Sequence, residues 1–533
     1  MAPSPFPVFG WENPHRTIRR PLVADNVVVA SQPLAAQAGL GILASGGNAV
    51  DAAVAAASVL AVVEPTNNGV GSDAFAQLWH DGELHGINGS GRAPRRWTPD
   101  HFSGRHTIPE RGWDAVTVPG AVSLWCELSA RFGSLPLKTV LEPAIHYAKT
   151  GFIVAPGVAE KWIQQAPMLA AEPGFAEAFL PQGRAPRAGE RFRLPGLAET
   201  LERITATGGR DFYEGDTAQR IAQFSKDTEG AIDAADLALH RATWDPPIDL
   251  AYRGLSLHEM PPNGQGVVAL MALGMLASLD FAALALDSMQ AIHLQIEAIK
   301  LAFADARRCV AEPGAMSVST GRMLDPDYLA ARARLIDPDR AQQFGPGVPM
   351  LPGTVYLAVA DSAGNVVSLI QSNYMGFGSG VVVPGTGVAL HNRGAGFTLE
   401  RGHPNQVGPG KRPFHTILPG IITHGGRVVA ALGSTGGSYQ PQGHVQIMLR
   451  LANAQNPQAI VDAPRFRVDA GYKVSFEPGF DAATLAGLAA LGHEVDAQRE
   501  STWDFGGMQL IVRLGECWLG ASDARRDSQA VGF

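Results

Sequence analysis

The sequence predicts a mixed α/β protein, and three observations carry that prediction. At 533 residues, with 46% hydrophobic and 17% charged residues, the chain exceeds the size at which one hydrophobic core usually stops growing, so two domains or one large layered body are expected. Its middle, from Val116 to about Asp305, is patterned mainly for helices. Its second part carries short β-branched runs separated by glycine corners. With 61 glycines and 38 prolines, many tight turns are expected.

In chain order, Met1-Ala2-Pro3-Ser4-Pro5-Phe6 is a proline-rich start without the apolar run of a secretory signal. Val27 to Ala30 reads as a strand, and Pro33 to Ala44 as a helix closed by Ser45-Gly46-Gly47. Asp51 to Val63 is an Ala/Val helix that Asn48 is placed to cap, and its apolar run is too short to span a bilayer. The glycine-rich turn Asn67 to Asp73 precedes a strand, Ala74 to Trp79. A dinucleotide fingerprint needs strand, glycines and then helix, so this order argues against a nucleotide site. Ala121 to Phe132, Glu142 to Lys149 and residues 285–308 read as helices. In the last, His293 and Glu297 lie one turn apart, a spacing that suits metal ligands, yet no third ligand is in view and packing polar residues are expected. Neither a metal nor a cofactor is predicted.

Phe344 to Gly353 is rich in Gly and Pro and cannot be a regular element. Then Val355 to Ala360 and Val366 to Ser372 form two strands joined by a turn with Asp361, Gly364 and Asn365. Thr354 stands at the loop-to-strand junction behind an unhindered glycine, where a chain could cut itself. A plain core ribbon would also carry threonine there, because threonine favours strands. Further on, Val381 to Val383 reads as a strand, and Val428 to Leu432 leads into Gly433-Ser434-Thr435-Gly436-Gly437-Ser438.

A net charge of −8 without a Lys/Arg block argues against nucleic acid as a partner. Cys126, Cys309 and Cys517 are far apart and lack metal or CxxC spacing, which suits a reducing compartment. A cytoplasmic protein without membrane partners is expected.

Eight segments then occur in one order: Gly46 to Ala55, Val118-Pro119-Gly120, Pro143-Ala144-Ile145, Phe212-Tyr213-Glu214-Gly215, Thr354 with Asp361 and Gly364-Asn365, Gly436-Gly437-Ser438, Ala463-Pro464-Arg465-Phe466 and Gly520-Ala521-Ser522-Asp523. Together they resemble the γ-glutamyltranspeptidase family of N-terminal-nucleophile hydrolases nearly end to end. The resemblance implies a four-layer α-β-β-α sandwich, made as an inactive precursor that cuts itself between Gly353 and Thr354. It implies a helix-rich segment 1–353 and a strand-rich segment 354–533 that stay paired as a heterodimer; a further dimer of such pairs is left open. The Thr354 hydroxyl would be the nucleophile and its freed α-amine, with a pKa of roughly 7.7–8.0, the base. By the same resemblance Gly436 and Gly437 form the oxyanion hole, and Ser372 replaces a threonine that assists the nucleophile. A strand-end serine bonded to backbone is the plain alternative for Ser372.

The departures from the family fall in the substrate pocket. The arginine that grips the substrate α-carboxylate falls at Ser90, with Arg92 two residues away as a substitute. The acidic partner of the α-amine falls at Gly396, and the glutamine ahead of it is Arg393. A substrate-binding asparagine is Tyr374, and a carboxylate-holding serine pair is His415-Thr416. A buried ammonium without an anionic partner is costly, so this pocket should prefer a small acid amide lacking an α-amine. The chain is similar to the oxamate amidohydrolase-like subgroup, which adjoins acylases. A true γ-glutamyltransferase or glutathione hydrolase, an acylase, and an unprocessed binding relative are the alternatives.

Overall fold

The computed structural model describes residues 18–344, 353–497 and 502–533. The proline-rich start and residues 345–352 of the expected Gly/Pro loop lie outside these described residues.

The strands of the two large sheets, in chain order, are β1 (Leu22–Ala24), β2 (Val27–Ala30), β3 (Asp73–His80), β4 (Glu83–Asn88), β5 (Thr243–Trp244), β6 (Ile248–Tyr252), β7 (Leu255–Glu259), β8 (Val355–Ala360), β9 (Val366–Ser372), β10 (Pro419–His424), β11 (Arg427–Ser434), β12 (Met508–Leu514), β13 (Cys517–Ser522) and β14 (Gln529–Gly532). They form two seven-stranded antiparallel sheets, ordered β14-β2-β8-β9-β3-β4-β5 and β1-β13-β12-β11-β10-β7-β6. The expected hairpin is therefore the centre of the first sheet. Its strands are buried on both faces. Val355, Leu357 and Val359 pack outward into a helical core, while Tyr356, Ala358 and Ala360 point into a second core shared with Ile421, Ala431 and Ile511 of the facing sheet. That is the period-two rule acting on a strand covered on both sides.

Helix α1 (Pro33–Ala44) and helix α2 (Ala49–Val63) lie against the outer face of the first sheet, with α2 buried over its whole length. Alanines give α2 the slim profile that this burial needs. Asn48 caps it in a reciprocal box with Asp51, and Asp361 of the hairpin turn accepts from the Ala49 N–H at 3.0 Å. Helices α3 (Ala121–Phe132) and α4 (Leu137–Thr150) pack on the same side. On the far side, α5 (Gly266–Ala277), α6 (Met289–Cys309) and α7 (Gln440–Leu451) share a third core with the second sheet.

The middle of the chain is less uniformly helical than its pattern suggests, because β5, β6 and β7 lie within it. The signal for β6 and β7 was present: Ile248-Asp249-Leu250-Ala251-Tyr252 and Leu255-Ser256-Leu257 alternate around Arg253-Gly254, whose φ values of 52° and 84° make a two-residue hairpin turn. Two helices begin earlier than expected, at Ala49 and Leu137, and the run at Val381 shrinks to Val382–Val383. Among the described residues, no helix is long and apolar enough to cross a membrane.

Candidate active site

The ladder sets the first part of the site. Gln371 pairs with Val355 and Ser372 with Asp73, so the end of β9 lies beside the start of β8. Gln371 is locked by Ala57, Asn68 and the Trp125 indole. As a result Thr354 Oγ1 stands 3.0 Å from Ser372 Oγ, both side chains being buried. The Ser372 hydroxyl also donates to the Gly353 carbonyl at 2.5 Å and accepts from the Tyr374 N–H at 2.8 Å. Gly353 is required by space: a Cβ there would meet the Met375 carbonyl carbon at 2.6 Å.

Beyond Ser372 the chain reverses sharply, with Tyr374 and Phe377 at positive φ of 75° and 56°. The glycine-rich turn after α2 is the cradle for this reversal. Asn67 O accepts from the Asn373 N–H, Thr66 O from the Phe377 N–H, and Ser72 Oγ donates to Asn373 Oδ1. Gly71 has no space for a side chain, since a Cβ would lie 2.1 Å from the Ala389 carbonyl oxygen.

Arg393 is the charged centre of the site. It begins a single 3-10 turn, Arg393–Gly396, and is fully buried. One guanidinium nitrogen donates to Thr416 Oγ1 at 2.8 Å and another lies 3.4 Å from Ser372 Oγ, while its carbon stacks 4.2 Å over the Tyr374 ring. Its Nε has no partner, and among the described residues no carboxylate lies within ion-pair distance of it. Burial lowers its pKa only to about 10, so it is a cation at neutral pH.

One buried carboxylate was missed by the sequence reading, which foresaw a pocket without any. Asp73 Oδ2 meets His415 Nε2 at 3.1 Å, and Oδ1 accepts from the Gly91 and Gly120 N–H groups and faces His391 at 3.5 Å. Burial raises its pKa to about 7 against the opposing pull of Arg393. His415 is held well below its usual pKa, first by burial and then by Arg393, so it is neutral. Because neighbours use both Asp73 oxygens, this group backs His415. The signal was a single Asp opening a strand after a glycine turn, which sequence alone cannot separate from a capping residue.

The other expected residues divide. Thr416 joins the cluster through Arg393. Arg92 does not: it pairs with Glu312 and donates to the Gly410 carbonyl, with its side chain partly exposed. Ser90 bonds Asn88 and Asn263. At Gly396 a Cβ would sit 2.5 Å from the Phe414 carbonyl oxygen, so the backbone has closed over the place of an acidic side chain. Gly436 and Gly437, with φ of 112° and 60°, turn the chain after β11. The Gln265 amide donates to both the Thr416 and Gly437 carbonyls, which ties that turn to the Arg393 cluster.

His293 and Glu297 lie elsewhere, in the third core. The fold supplies a third potential ligand, His493, with ligand atoms of all three within 4.8 Å of one another. They are already engaged: His293 bonds His493 at 2.8 Å, and Glu297 pairs with Lys300 and accepts from the Gln342 N–H. The Lys300 ammonium inside the cluster opposes a cation, and the network fastens residues 337–342 to α6.

With the geometry in hand, comparison with known proteins is informative. Residues 35–533 match the family described as gamma-glutamyltranspeptidase. The glutathione hydrolase-like YwrD proenzyme of Bacillus subtilis (strain 168) is 36% identical over 522 residues, covering 95% of this chain and 98% of the relative. The oxamate amidohydrolase proenzyme of Klebsiella pneumoniae is 36% identical over 524 residues, again covering 95% and 98%. A crystal structure of a cephalosporin acylase from Bacillus halodurans superposes with a TM-score of 0.95 at 43% identity, covering 99% of each chain. The chain therefore belongs to the gamma-glutamyltranspeptidase family and is an enzyme of that family, akin to hydrolase proenzymes.

Proposed function

We infer that this enzyme cleaves itself between Gly353 and Thr354 and then hydrolyses the amide of a small carboxylic acid that lacks an α-ammonium group. The observation that carries the substrate class is Arg393, a buried cation bonded to Thr416 and Ser372 with no carboxylate partner among the described residues. Asp73 acts on Arg393 only from beyond ion-pair distance, and a buried charge without a direct partner is costly, a cost that a bound carboxylate offsets. The closed backbone at Gly396 removes the place for a carboxylate that would meet a substrate ammonium.

In this reading Thr354 Oγ attacks the substrate amide carbon and the new α-amine takes the hydroxyl proton. The Gly436-Gly437 turn and Ser372 stabilise the oxyanion, the amine leaves, and water releases the acid from the ester. Arg393 and Thr416 hold the carboxylate, with Tyr374 as a wall beneath the guanidinium. His415, backed by Asp73, orients the loop behind them. The two segments form a four-layer αββα sandwich and stay together, since each sheet takes strands from both sides of residue 353.

An acylase is the second reading, favoured by the 43% identity to the cephalosporin acylase structure. It would use Arg393 for an acid group on the acyl chain. Ammonia release from oxamate, aniline release from γ-glutamyl-p-nitroanilide and acid release from a longer acyl amide separate the readings. Turnover of oxamate well above the γ-glutamyl substrate is expected; the reverse order contradicts the proposal.

A further inference from the structure

Four polar groups converge on one oxygen. Ser372 Oγ has Thr354 Oγ1 at 3.0 Å, the Gly353 carbonyl at 2.5 Å, the Tyr374 N–H at 2.8 Å and an Arg393 guanidinium nitrogen at 3.4 Å. A hydroxyl has one proton and two lone pairs. The Tyr374 N–H and the guanidinium can only donate and the Gly353 carbonyl can only accept, so the two donors take the lone pairs, the serine proton goes to the closer Gly353 carbonyl, and the Thr354 hydroxyl stands beside Ser372 as a contact. Drawing electron density from Oγ makes that proton a stronger donor, and one of the two drawing groups is a buried cation.

We propose that Arg393 is a positioning residue for self-cleavage: before any substrate is present, it acts through the Ser372 hydroxyl to stabilise the charge that develops on the Gly353 carbonyl oxygen. This rests on the reading of Gly353-Thr354 as the cleavage site. The Thr354 Oγ–carbon bond forms and the carbonyl electron pair moves onto the Gly353 oxygen, toward the Ser372 proton. On collapse the Gly353 C–N bond breaks, and its electron pair and the threonine proton end on the Thr354 nitrogen as a free amine. Water then hydrolyses the ester, giving the Gly353 carboxylate and restoring the Thr354 hydroxyl. Departure of the Gly353 end frees Ser372 and Arg393, and the same guanidinium becomes available to a substrate carboxylate. One cation thus serves two reactions in succession.

The Thr416 bond and the Tyr374 ring fix where the guanidinium lies, so a lysine should serve only in part. Full-length chain made by pulse-labelled translation is chased, and the loss of the uncleaved band is timed for wild type, R393K, R393Q, S372A and S372A/R393Q. Thermal melting of uncleaved material identifies the folded variants. R393Q is expected to slow cleavage by about 10–100-fold and R393K by less. In the S372A background R393Q should add less than about twofold, because the relay atom is gone. Wild-type cleavage rates in folded R393Q overturn the proposal. So does equal slowing by R393Q with and without the Ser372 hydroxyl. If R393Q does not fold, R393K decides: folded R393K cleaving at the wild-type rate overturns it, and slower cleavage that vanishes as a difference in the S372A background supports it. Turnover by the mature form is read separately. Normal cleavage with lost oxamate turnover sinks this proposal alone, whereas slow cleavage followed by normal oxamate turnover sinks the substrate reading alone.

Discussion

The two ends of the site are built in different ways. Thr354 immediately precedes β8 and Ser372 ends the adjacent β9 at the centre of a sheet, where hydrogen-bond register and a locked Gln371 fix their 3.0 Å separation. Arg393, Tyr374 and Thr416 come from a 3-10 turn, a left-handed reversal and the approach to β10, joined by side-chain bonds. Bond-breaking groups need positions held to a fraction of an ångström, which a ladder supplies. Substrate choice tolerates replacement as long as local bonds are remade, which loops allow. Side chains can therefore change at the loop end without shifting the strand register, although Arg393 still bears on the strand end through Ser372.

Breaking the strand end should have the largest effect. Thr354→Ala is expected to leave a single 56 kDa chain on a denaturing gel and to abolish amide hydrolysis. At the loop end, Arg393→Ala, assayed on the fraction that has cleaved, should lower kcat/KM for a small acid amide by roughly a hundredfold or more, mainly through KM, as loss of a buried charge partner does. Ser372→Ala, assayed likewise on the fraction that has cleaved, should lower turnover about tenfold, with Ser372→Thr restoring most of it, because one hydroxyl donor is removed or kept. Gly396→Asp tests whether the loop end can be reversed. It should not confer γ-glutamyl activity and should lower stability by about 1–3 kcal/mol, since its Cβ meets the Phe414 carbonyl.

The smallest effect concerns pH. Burial raises the Asp73 pKa from 3.8 to about 7. A raised carboxyl pKa means that the folded state binds the extra proton, so its contribution favours folding at low pH and is lost as pH rises through that window. Relative to Asp73→Asn, the wild-type protein should lose stability between pH 4 and 7 in denaturant titrations; parallel curves would remove Asp73 from the account.

The strand end was legible because its signals are local: alternation, a turn with Asp361 and Gly364-Asn365, and a glycine ahead of a threonine. Motifs that look unrelated in sequence meet in space, as when Asp361 accepts from Ala49 at the start of the Gly46-to-Ala55 helix. The loop end was legible only as substitutions. That Arg393 reaches Ser372 while Arg92 turns to Glu312 depends on backbone paths that no periodicity encodes. Asp73, more than 300 residues from His391, Arg393 and His415, was hidden for the same reason, as was His493, which completes a buried trio with His293 and Glu297 only through the fold.

The central claim is that Thr354 becomes an N-terminus and acts as one. Intact-mass measurement and N-terminal sequencing of purified protein test it most directly. The expected result is two fragments that copurify, the smaller beginning Thr354-Val355-Tyr356. An active enzyme that remains one uncut chain, or a smaller fragment starting at another residue, would contradict it.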